Sequence, residues 1–323
     1  MKGRILSACM AFVVVLTIAV PVSARDRDAD HPPTRFVVFG DSLSDPGNYF
    51  AAFHEVSQRP FEPVPDAPYA MGGLHYSNGE TWIEQLGHDL HAGDSTGPAL
   101  QHTGNATNFA VGRARARPGA ASFPHFDLST QVGMFLGQTG GQAQESALYV
   151  LWIGANDLQD ALESLATDPS FASAAGIVQQ AVGTTAGNIQ ALWNAGARRF
   201  LVVDMPDLAI TPYLIGLGPV AQYAAGHLTA AYNAGLGQVV DALGILPGIS
   251  ILRLDVNAAL ASAALDASTS RIREFETPCL RFAVVKDAVC HHPERYLFWD
   301  AIHPTKVGHE LIADAAHAAL AAH

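Results

Sequence analysis

Two short segments near opposite ends of the chain contain the residue types that perform nucleophilic catalysis. Ser42 lies in Gly-Asp-Ser-Leu at residues 40–43, and Asp300 precedes His303 by three positions. A serine hydroxyl needs an adjacent base at neutral pH, and a carboxylate on the far side of an imidazole keeps that base in the required tautomer. We therefore predict acyl transfer, with Ser42 as nucleophile, His303 as base and Asp300 as the residue that orients the base.

Acyl transfer also requires hydrogen-bond donors for the oxyanion of the tetrahedral intermediate. The predicted donors are the backbone N–H groups of Ser42 and Gly112 and the side-chain amide of Asn156, each at the end of a strand-like segment. Every candidate also has an ordinary structural explanation, which the sequence leaves open. Ser42, Asn156, Asp300 and His303 suit helix caps, and Gly112 suits a left-handed turn.

The elements that must position these residues alternate between strands and helices. Strands are predicted at residues 34–39, 107–111, 147–153, 199–203 and 250–254, and helices at 79–91, 127–138, 171–195, 219–242 and 305–321. This alternation predicts an α/β fold, a three-layer α/β/α sandwich with a five-stranded parallel sheet. In a flavodoxin-like strand order the first three strands end beside one another, where ligands bind in open sheets. The serine, the glycine and the asparagine would then share one site.

The segment from Ile210 to Pro219 is apolar and contains no charged residue. It suits the lining of a groove for the acyl chain of a substrate. A packed loop between elements explains the same composition, and we favour that explanation.

Residues 1–24 are typical of a signal peptide. Lys2 and Arg4 precede an apolar stretch from Ile5 to Val20, and small residues follow for cleavage after Ala24. We expect residues 25–323 to form a single domain that is secreted or periplasmic. A retained membrane anchor is the alternative, although the apolar stretch is short for a membrane span.

Removal of that peptide leaves two cysteines, Cys279 and Cys290. An oxidising compartment favours a disulfide between them, and two buried free thiols are the alternative. His291 and His292 adjoin Cys290, but no second pair of ligands has the spacing of a zinc site, so no metal is expected.

The formal net charge of the chain is −12 at pH 7, and no run of Lys or Arg is present. Nucleic-acid-binding domains usually present a basic patch or stripe, so nucleic acid is not expected as a partner. An acidic surface is compatible with neutral lipids, small esters and sugars as substrates.

Four segments together resemble the GDSL lipase/esterase family of the SGNH hydrolase superfamily. They are residues 36–48, 108–112, 154–157 and 298–305, in the order that the family shows. Residues 76–82 and 204–208 are also similar to the bacterial secreted, lecithinase/hemolysin-like branch. The sequence departs from the family pattern at Arg113, where a second glycine is usual, and at Asp204, where Asn is common. We expect Arg113 to alter the rim of the site.

The resemblance implies a secreted serine ester hydrolase that cleaves lipid or short- to medium-chain acyl esters through an acyl-enzyme. It assigns Ser42, Asp300 and His303 as the catalytic triad and Ser42, Gly112 and Asn156 as oxyanion donors, with no cofactor or metal. Transient contact with a lipid surface is expected, without a stable membrane anchor. A carbohydrate acetyl-esterase is the alternative. A catalytically inactive binding protein on the same fold is less favoured, because no triad or oxyanion position is replaced.

Overall fold

The computed structural model of the chain describes residues 32–53, 72–101, 105–119, 126–265, 271–281 and 288–323. The predicted signal peptide, residues 1–24, lies outside these ranges. None of the helices within the ranges combines the length and the hydropathy that a membrane crossing requires.

Four of the predicted strands pair in parallel and form the central sheet. They lie in the order β1 (Phe36–Gly40), β2 (Leu148–Trp152), β3 (Arg199–Val203) and β4 (Ser250–Leu254). Every residue of β1 and β2 is buried, as expected for strands that are covered on both faces of a sheet. The carboxyl ends of the strands share one edge of the sheet, and the candidate residues follow β1 and β2 there.

The predicted fifth strand, residues 107–111, runs parallel to β1 on the side away from β2, but its ladder of hydrogen bonds to β1 is incomplete. The backbone of Val38 makes two hydrogen bonds to this segment, at 3.0 and 2.8 Å. At Gly40 the carbonyl accepts the Val111 N–H (3.2 Å), but the Gly40 N–H donates to Oε1 of Gln131 (2.9 Å) instead of to the neighbouring backbone. The predicted strand order is therefore confirmed, but the prediction of five strands is wrong: the described sheet has four.

Helices flank the sheet. In chain order they are α1 (Asn48–Phe53), α2 (Trp82–Asp89), α3 (Gly93–Thr96), α4 (Leu128–Gln138), α5 (Ala155–Ser164), α6 (Ala172–Ala195), α7 (Pro212–Leu217), α8 (Pro219–Leu243), α9 (Val256–Leu265) and α10 (Lys306–Ala322). Short 3-10 helices occur at Ala99–Gln101, Leu208–Ile210 and Pro293–Arg295. The five helices predicted from the sequence correspond to α2, α4, α6, α8 and α10.

Aromatic contacts show that helices cover both faces of the sheet. Phe135 of α4 packs on Tyr149 of β2 (ring centroids 5.8 Å apart), whereas Trp82 of α2 packs on Trp152 of the same strand (5.4 Å). Tyr149 and Trp152 are three residues apart in a strand and thus point to opposite faces. Helix α6 packs with both α4 and α8 on one side, and α10 packs with α2 on the other. The predicted three-layer architecture is confirmed.

The apolar segment from Ile210 to Pro219 is helical, so our preference for a packed loop is wrong. Helix α7 begins after Thr211, whose side-chain oxygen accepts the backbone N–H of Leu214 (3.4 Å), and Pro212 is its first residue. A capping residue followed by proline is a recognised helix start, because proline lacks only an N–H that has no partner in the first turn. This local signal was present in the sequence and was overlooked.

Three helix starts that bear on the candidate residues are capped by other groups. The carboxylate of Asp45 accepts N–H groups at the start of α1, Gly154 precedes α5, and Thr305 accepts the Gly308 N–H of α10 at 3.0 Å. Helix capping therefore does not account for Ser42, Asp300 or His303.

A disulfide joins Cys279 and Cys290. The Cys279 N–H donates to the carbonyl of Phe298 (3.0 Å), and the Leu280 N–H donates to that of Trp299 (2.6 Å). The disulfide-bearing segment thus lies along the backbone that leads directly into Asp300.

Candidate active site

The turn after β1 presents Ser42 at the carboxyl edge of the sheet. The Leu43 N–H donates to Oδ1 of Asp41 (3.1 Å), and the Ser44 N–H donates to the Asp41 carbonyl (3.1 Å). Trp82 of α2 donates its indole N–H to Oγ of Ser44 (3.0 Å). Asp41, Leu43 and Ser44 are buried, while Ser42 is half-buried. The turn is therefore fixed on its inner side, and the Ser42 hydroxyl faces outward from it.

Asp300 and His303 are held together by a tight loop immediately before α10. Oδ1 of Asp300 accepts the backbone N–H groups of Ile302 (2.9 Å) and His303 (2.7 Å), and Oδ2 lies 2.7 Å from Nδ1 of His303. The Trp299 N–H donates to the His303 carbonyl at 2.7 Å and closes the loop. The three-residue spacing thus lets one carboxylate bind both the backbone and the ring of the same histidine.

The structure brings this loop to the turn after β1. Nε2 of His303 lies 2.8 Å from Oγ of Ser42, across 261 residues of sequence. Burial raises the pKa of Asp300, but the adjacent His303 and the hydrogen bonds to the carboxylate outweigh burial and leave this pKa below its ordinary value. An ionised carboxylate favours the Nδ1–H tautomer, in which Nε2 accepts a proton from the Ser42 hydroxyl.

Asn156 lies in the first turn of α5, at the same edge of the sheet. Its Nδ2 donates to the carbonyl of Ala114 (2.8 Å), so one amide hydrogen fixes the side chain and the amide has a second hydrogen. Gly154, just before α5, has φ of 134°, and a Cβ there would lie 2.6 Å from the ring of Tyr232. Only glycine allows the backbone to turn from β2 into α5 at this point.

The Gly112 N–H has a different partner from the one that the sequence assigned to it. It donates to Oδ2 of Asp45 (2.7 Å), which also accepts the Tyr49 N–H, while Oδ1 accepts the Gly47 and Asn48 N–H groups. Burial raises the pKa of Asp45 to about 6 despite these four donors. Asp45 therefore ties the start of α1 to the segment beside β1, a role that the sequence analysis did not foresee.

Asp157 anchors the chain that follows Gly112 to α5. Its carboxylate accepts the backbone N–H groups of Ala116 (2.7 Å) and Arg117 (3.3 Å), and burial raises its pKa to about 6. Arg115 and Arg117 both bind Asp160, one turn further along α5. These contacts hold in place the carbonyl of Ala114 that positions Asn156.

Tyr76 is a residue of the site that chemical reasoning from the sequence missed. Its ring centroid lies 5.1 Å from that of His303 and 5.8 Å from that of Tyr49. A Cβ on Gly112 would lie 2.3 Å from Cε2 of Tyr76, so this ring covers the glycine directly. The only signal for Tyr76 was the family resemblance of residues 76–82, because a single tyrosine in a loop belongs to no residue pattern that would identify it as part of a catalytic site.

His75 fixes the loop that carries Tyr76. Its Nε2 lies 3.0 Å from Oε1 of Glu84 in α2, and its Nδ1 lies 2.5 Å from the carbonyl of Gly72. Burial lowers the pKa of His75, but the contacts with Glu84 and Gly72 outweigh burial and raise this pKa above its ordinary value. Two acceptors on two ring nitrogens are the partners that an imidazolium requires.

An apolar pocket opens beside Ser42, Asn156 and His303. Its walls include the helix α7 and the loop of Asp300, which are joined because the Tyr213 N–H donates to the carbonyl of Ala301 (3.0 Å). The apolar side chains in the walls include Leu162, Leu208, Ile210, Leu214, Phe298 and Ile302. A nucleophile, a base and a side-chain amide thus meet at the mouth of a cavity suited to an apolar chain.

Comparison with known proteins identifies the family. The profile described as GDSL-like Lipase/Acylhydrolase matches residues 36–316 of the chain. The chain belongs to this family. The match extends from β1 into α10 and so includes both the turn of Ser42 and the loop of His303.

Relatives of this GDSL protein include proteins that are named as a lipase and an acetylesterase. An uncharacterized protein of Pseudomonas putida from the trpE-trpG intergenic region is 29% identical over 91% of the chain, and Lipase 1 of Photorhabdus luminescens is 27% identical over 61%. The chain spans only 50% and 26% of the length of these two proteins. An acetylesterase of Thermothelomyces thermophilus is 23% identical, and the alignment covers 97% of this chain and 96% of that protein. The family prediction is confirmed, while the lecithinase/hemolysin-like branch stays a prediction.

Proposed function

We propose that this GDSL-family chain hydrolyses carboxylic esters through an acyl-enzyme on Ser42. The observation that carries the proposal is the continuous contact from Ser42 Oγ to His303 Nε2 (2.8 Å) and from His303 Nδ1 to Asp300 Oδ2 (2.7 Å). An activated serine needs both hydrogen bonds, one to a base and one that orients the base.

In the proposed mechanism Ser42 attacks the ester carbonyl while His303 accepts its proton. The resulting imidazolium is stabilised by the ionised Asp300 and then donates the proton to the leaving alcohol. A water molecule that passes a proton to the same imidazole hydrolyses the acyl-enzyme and restores Ser42.

The oxyanion would be bound by the Ser42 N–H and by the second amide hydrogen of Asn156. Loss of one such donor typically costs on the order of 3 kcal/mol of transition-state stabilisation. The Gly112 N–H remains the predicted third donor, and to act as one it has to exchange the carboxylate of Asp45 for the oxyanion.

We favour a lipid ester as the substrate, since the pocket beside Ser42 has largely apolar walls. The acetylesterase among the relatives supports the alternative, an acetyl-ester of a carbohydrate or another alcohol. Leu217 of α7 and Val220 and Tyr223 of α8 are exposed, and α7 also lines that pocket, which supports transient contact with a lipid surface. The signal-peptide pattern of residues 1–24 and the disulfide support export to the periplasm or the medium, with residues 25–323 as one domain.

The nucleophile is tested by the Ser42→Ala variant, with Ser146→Ala as the matched control because Ser146 is exposed and precedes β2, at the edge of the sheet opposite the carboxyl ends of the strands. We expect Ser42→Ala to lose ester hydrolysis and covalent labelling by a fluorophosphonate, whereas Ser146→Ala keeps both. Undiminished labelling of the folded Ser42→Ala protein would disprove the assignment.

A further inference from the structure

A second cavity shares part of its wall with the pocket beside Ser42. The shared wall consists of Asp207, Ile210, Leu260 and Leu297. Three of these four residues are aliphatic. The boundary between the two cavities is therefore made chiefly of apolar residues.

The polar side chains around the second cavity mostly bind backbone groups of its own walls. Asn257 accepts the Asp207 N–H (2.6 Å) and donates to the carbonyl of Met205 (3.0 Å), and Gln222 donates to the carbonyl of Ala209 (3.0 Å). Oδ1 of Asp207 accepts the Ala209 N–H at 2.9 Å. Since these groups are satisfied by the protein, the cavity offers a ligand mainly the surfaces of Ile215, Leu260 and Phe275.

The two ends of this combined space differ in polarity. Ser42, Asn156 and His303 lie at the first cavity, whereas the residues that line the second are mainly apolar and the carboxylate of Glu276 at its border is exposed. A molecule with one ester group and a long hydrocarbon chain matches this distribution, with the ester at Ser42 and the chain along the apolar walls. An acetyl group would leave the second cavity unused.

We infer that the two cavities form one channel for the acyl chain of the substrate, with Ile210 and Leu260 at its internal boundary. This inference rests on the function proposed above and adds that medium- to long-chain acyl esters are the preferred substrate class. Each methylene group transferred from water into an apolar channel improves binding about four-fold. Preference for longer chains should therefore extend beyond the first cavity.

The experiment measures kcat/KM on p-nitrophenyl esters from acetyl to hexadecanoyl for the wild-type chain and for Ile210→Trp and Leu260→Trp. Ile245→Trp is the matched control, because Ile245 is exposed and lines neither cavity. We expect wild-type kcat/KM to rise with acyl length. Both boundary variants should lower the ratio of kcat/KM on the longest esters to kcat/KM on acetyl and butyryl esters by about ten-fold or more. The control should show the wild-type profile.

A second measurement distinguishes a change in acyl-chain preference from a loss of activity caused by misfolding of the variant. Alkyl fluorophosphonates of increasing chain length should label the wild-type protein progressively faster, and the Ile210→Trp protein should lose this dependence. An active wild type that prefers acetyl, or boundary variants with an unchanged length profile, would overturn the inference. A preference for acetates of long-chain alcohols would also overturn it, because the channel would then hold the alcohol. If the wild-type protein hydrolyses none of these esters and is labelled by none of these fluorophosphonates, the proposed function itself is refuted.

Discussion

At the scale of single residues, the contact between Ser42 and His303 depends on neighbours that take no part in the chemistry. Tyr76 packs against the His303 ring and covers Gly112, and Asp45 holds the Gly112 N–H. A side chain at position 112 would therefore displace Tyr76 from the imidazole. We expect even a small side chain at position 112 to shift the Tyr76 ring and thereby to change the position of the His303 imidazole.

Gly112→Ala should lower kcat/KM for any accepted ester by about ten-fold or more, because the added methyl group cannot coexist with the present position of Tyr76. The measurement is steady-state hydrolysis together with the free energy of unfolding in urea. Gly133→Ala is the matched control, since a Cβ at Gly133 in α4 meets no atom within 4 Å. The control should keep full activity and gain about 0.5–1 kcal/mol of stability from helix propensity. Equal activity of both variants would contradict the role given to Tyr76.

The sequence was sufficient to predict the residues whose chemistry depends on their types and local spacing. Asp300 and His303 form their contact within one loop, so three-residue spacing is the whole signal. Asp45 and Tyr76 acquire their roles only when the loop at residues 72–78 and the segment after residue 107 meet around Gly112. No local sequence pattern predicts this tertiary contact. The sequence analysis therefore did not identify the Asp45 carboxylate as the partner of the Gly112 N–H.

At the scale of secondary-structure elements, the end of β1 is held by a side chain in α4 where a fifth strand was expected. Gln131 is buried and accepts the Gly40 N–H at 2.9 Å, and its Nε2 donates to the Gly40 carbonyl (2.7 Å) and to the Phe126 carbonyl (2.8 Å). This amide replaces the hydrogen bond that a neighbouring strand would supply to the Gly40 N–H, whereas the Gly40 carbonyl also accepts the Val111 N–H (3.2 Å). It fixes the backbone two residues before Ser42.

Gln131→Leu should lower the free energy of unfolding by about 1–3 kcal/mol, because it leaves the buried Gly40 N–H without a partner, while the Gly40 carbonyl keeps its hydrogen bond from the Val111 N–H (3.2 Å). Urea denaturation checks this value, and hydrolysis measured on the folded variant shows whether Ser42 has moved. Gln138→Leu, at the exposed end of the same helix, should change stability by no more than about 0.5 kcal/mol. Similar losses in the two variants would show that the Gly40 contacts contribute little.

Hydrophobic periodicity predicted the long helices and strands correctly. It was misleading where side chains, and not a neighbouring strand, make hydrogen bonds to the backbone of β1. The segment 107–111 has the composition of a strand, but Gln131 and the surrounding side chains bind the groups at the ends of β1. The sequence gives no indication of that substitution, since Gln131 lies within an ordinary amphipathic helix. For α7 the fault was in the interpretation, because Thr211 and Pro212 mark a helix start.

At the scale of the whole molecule, the interior contains an imidazole that the proposed mechanism does not use. His309 is buried in α10, and its Nδ1 has no hydrogen-bond partner among the described residues. Burial, with smaller contributions from His303 and His75, lowers the pKa of His309 to about 3. The folded chain therefore keeps this ring neutral at pH values where the unfolded chain protonates it.

His309 should make the protein less stable in acid. Its folded-state pKa is lowered, so the stability that depends on the neutral ring is lost as the pH falls below about 6.5 towards 3. We expect His309→Leu to remove roughly 3 kcal/mol of the loss between pH 7 and pH 4, measured by urea denaturation at both values. His317→Leu, at an exposed position of the same helix, should retain the wild-type pH dependence. Parallel pH profiles for all three proteins would show that burial of His309 has no such effect.

The spacing of 261 positions between Ser42 and His303 also sets an order of events during synthesis. The ribosome produces the hydroxyl early and the imidazole only after all four strands of the sheet have been made. A growing polypeptide thus carries its nucleophile without its base, and acquires the complete relay only when α10 has packed against α2. The nascent chain therefore has no activated serine until translation is nearly finished.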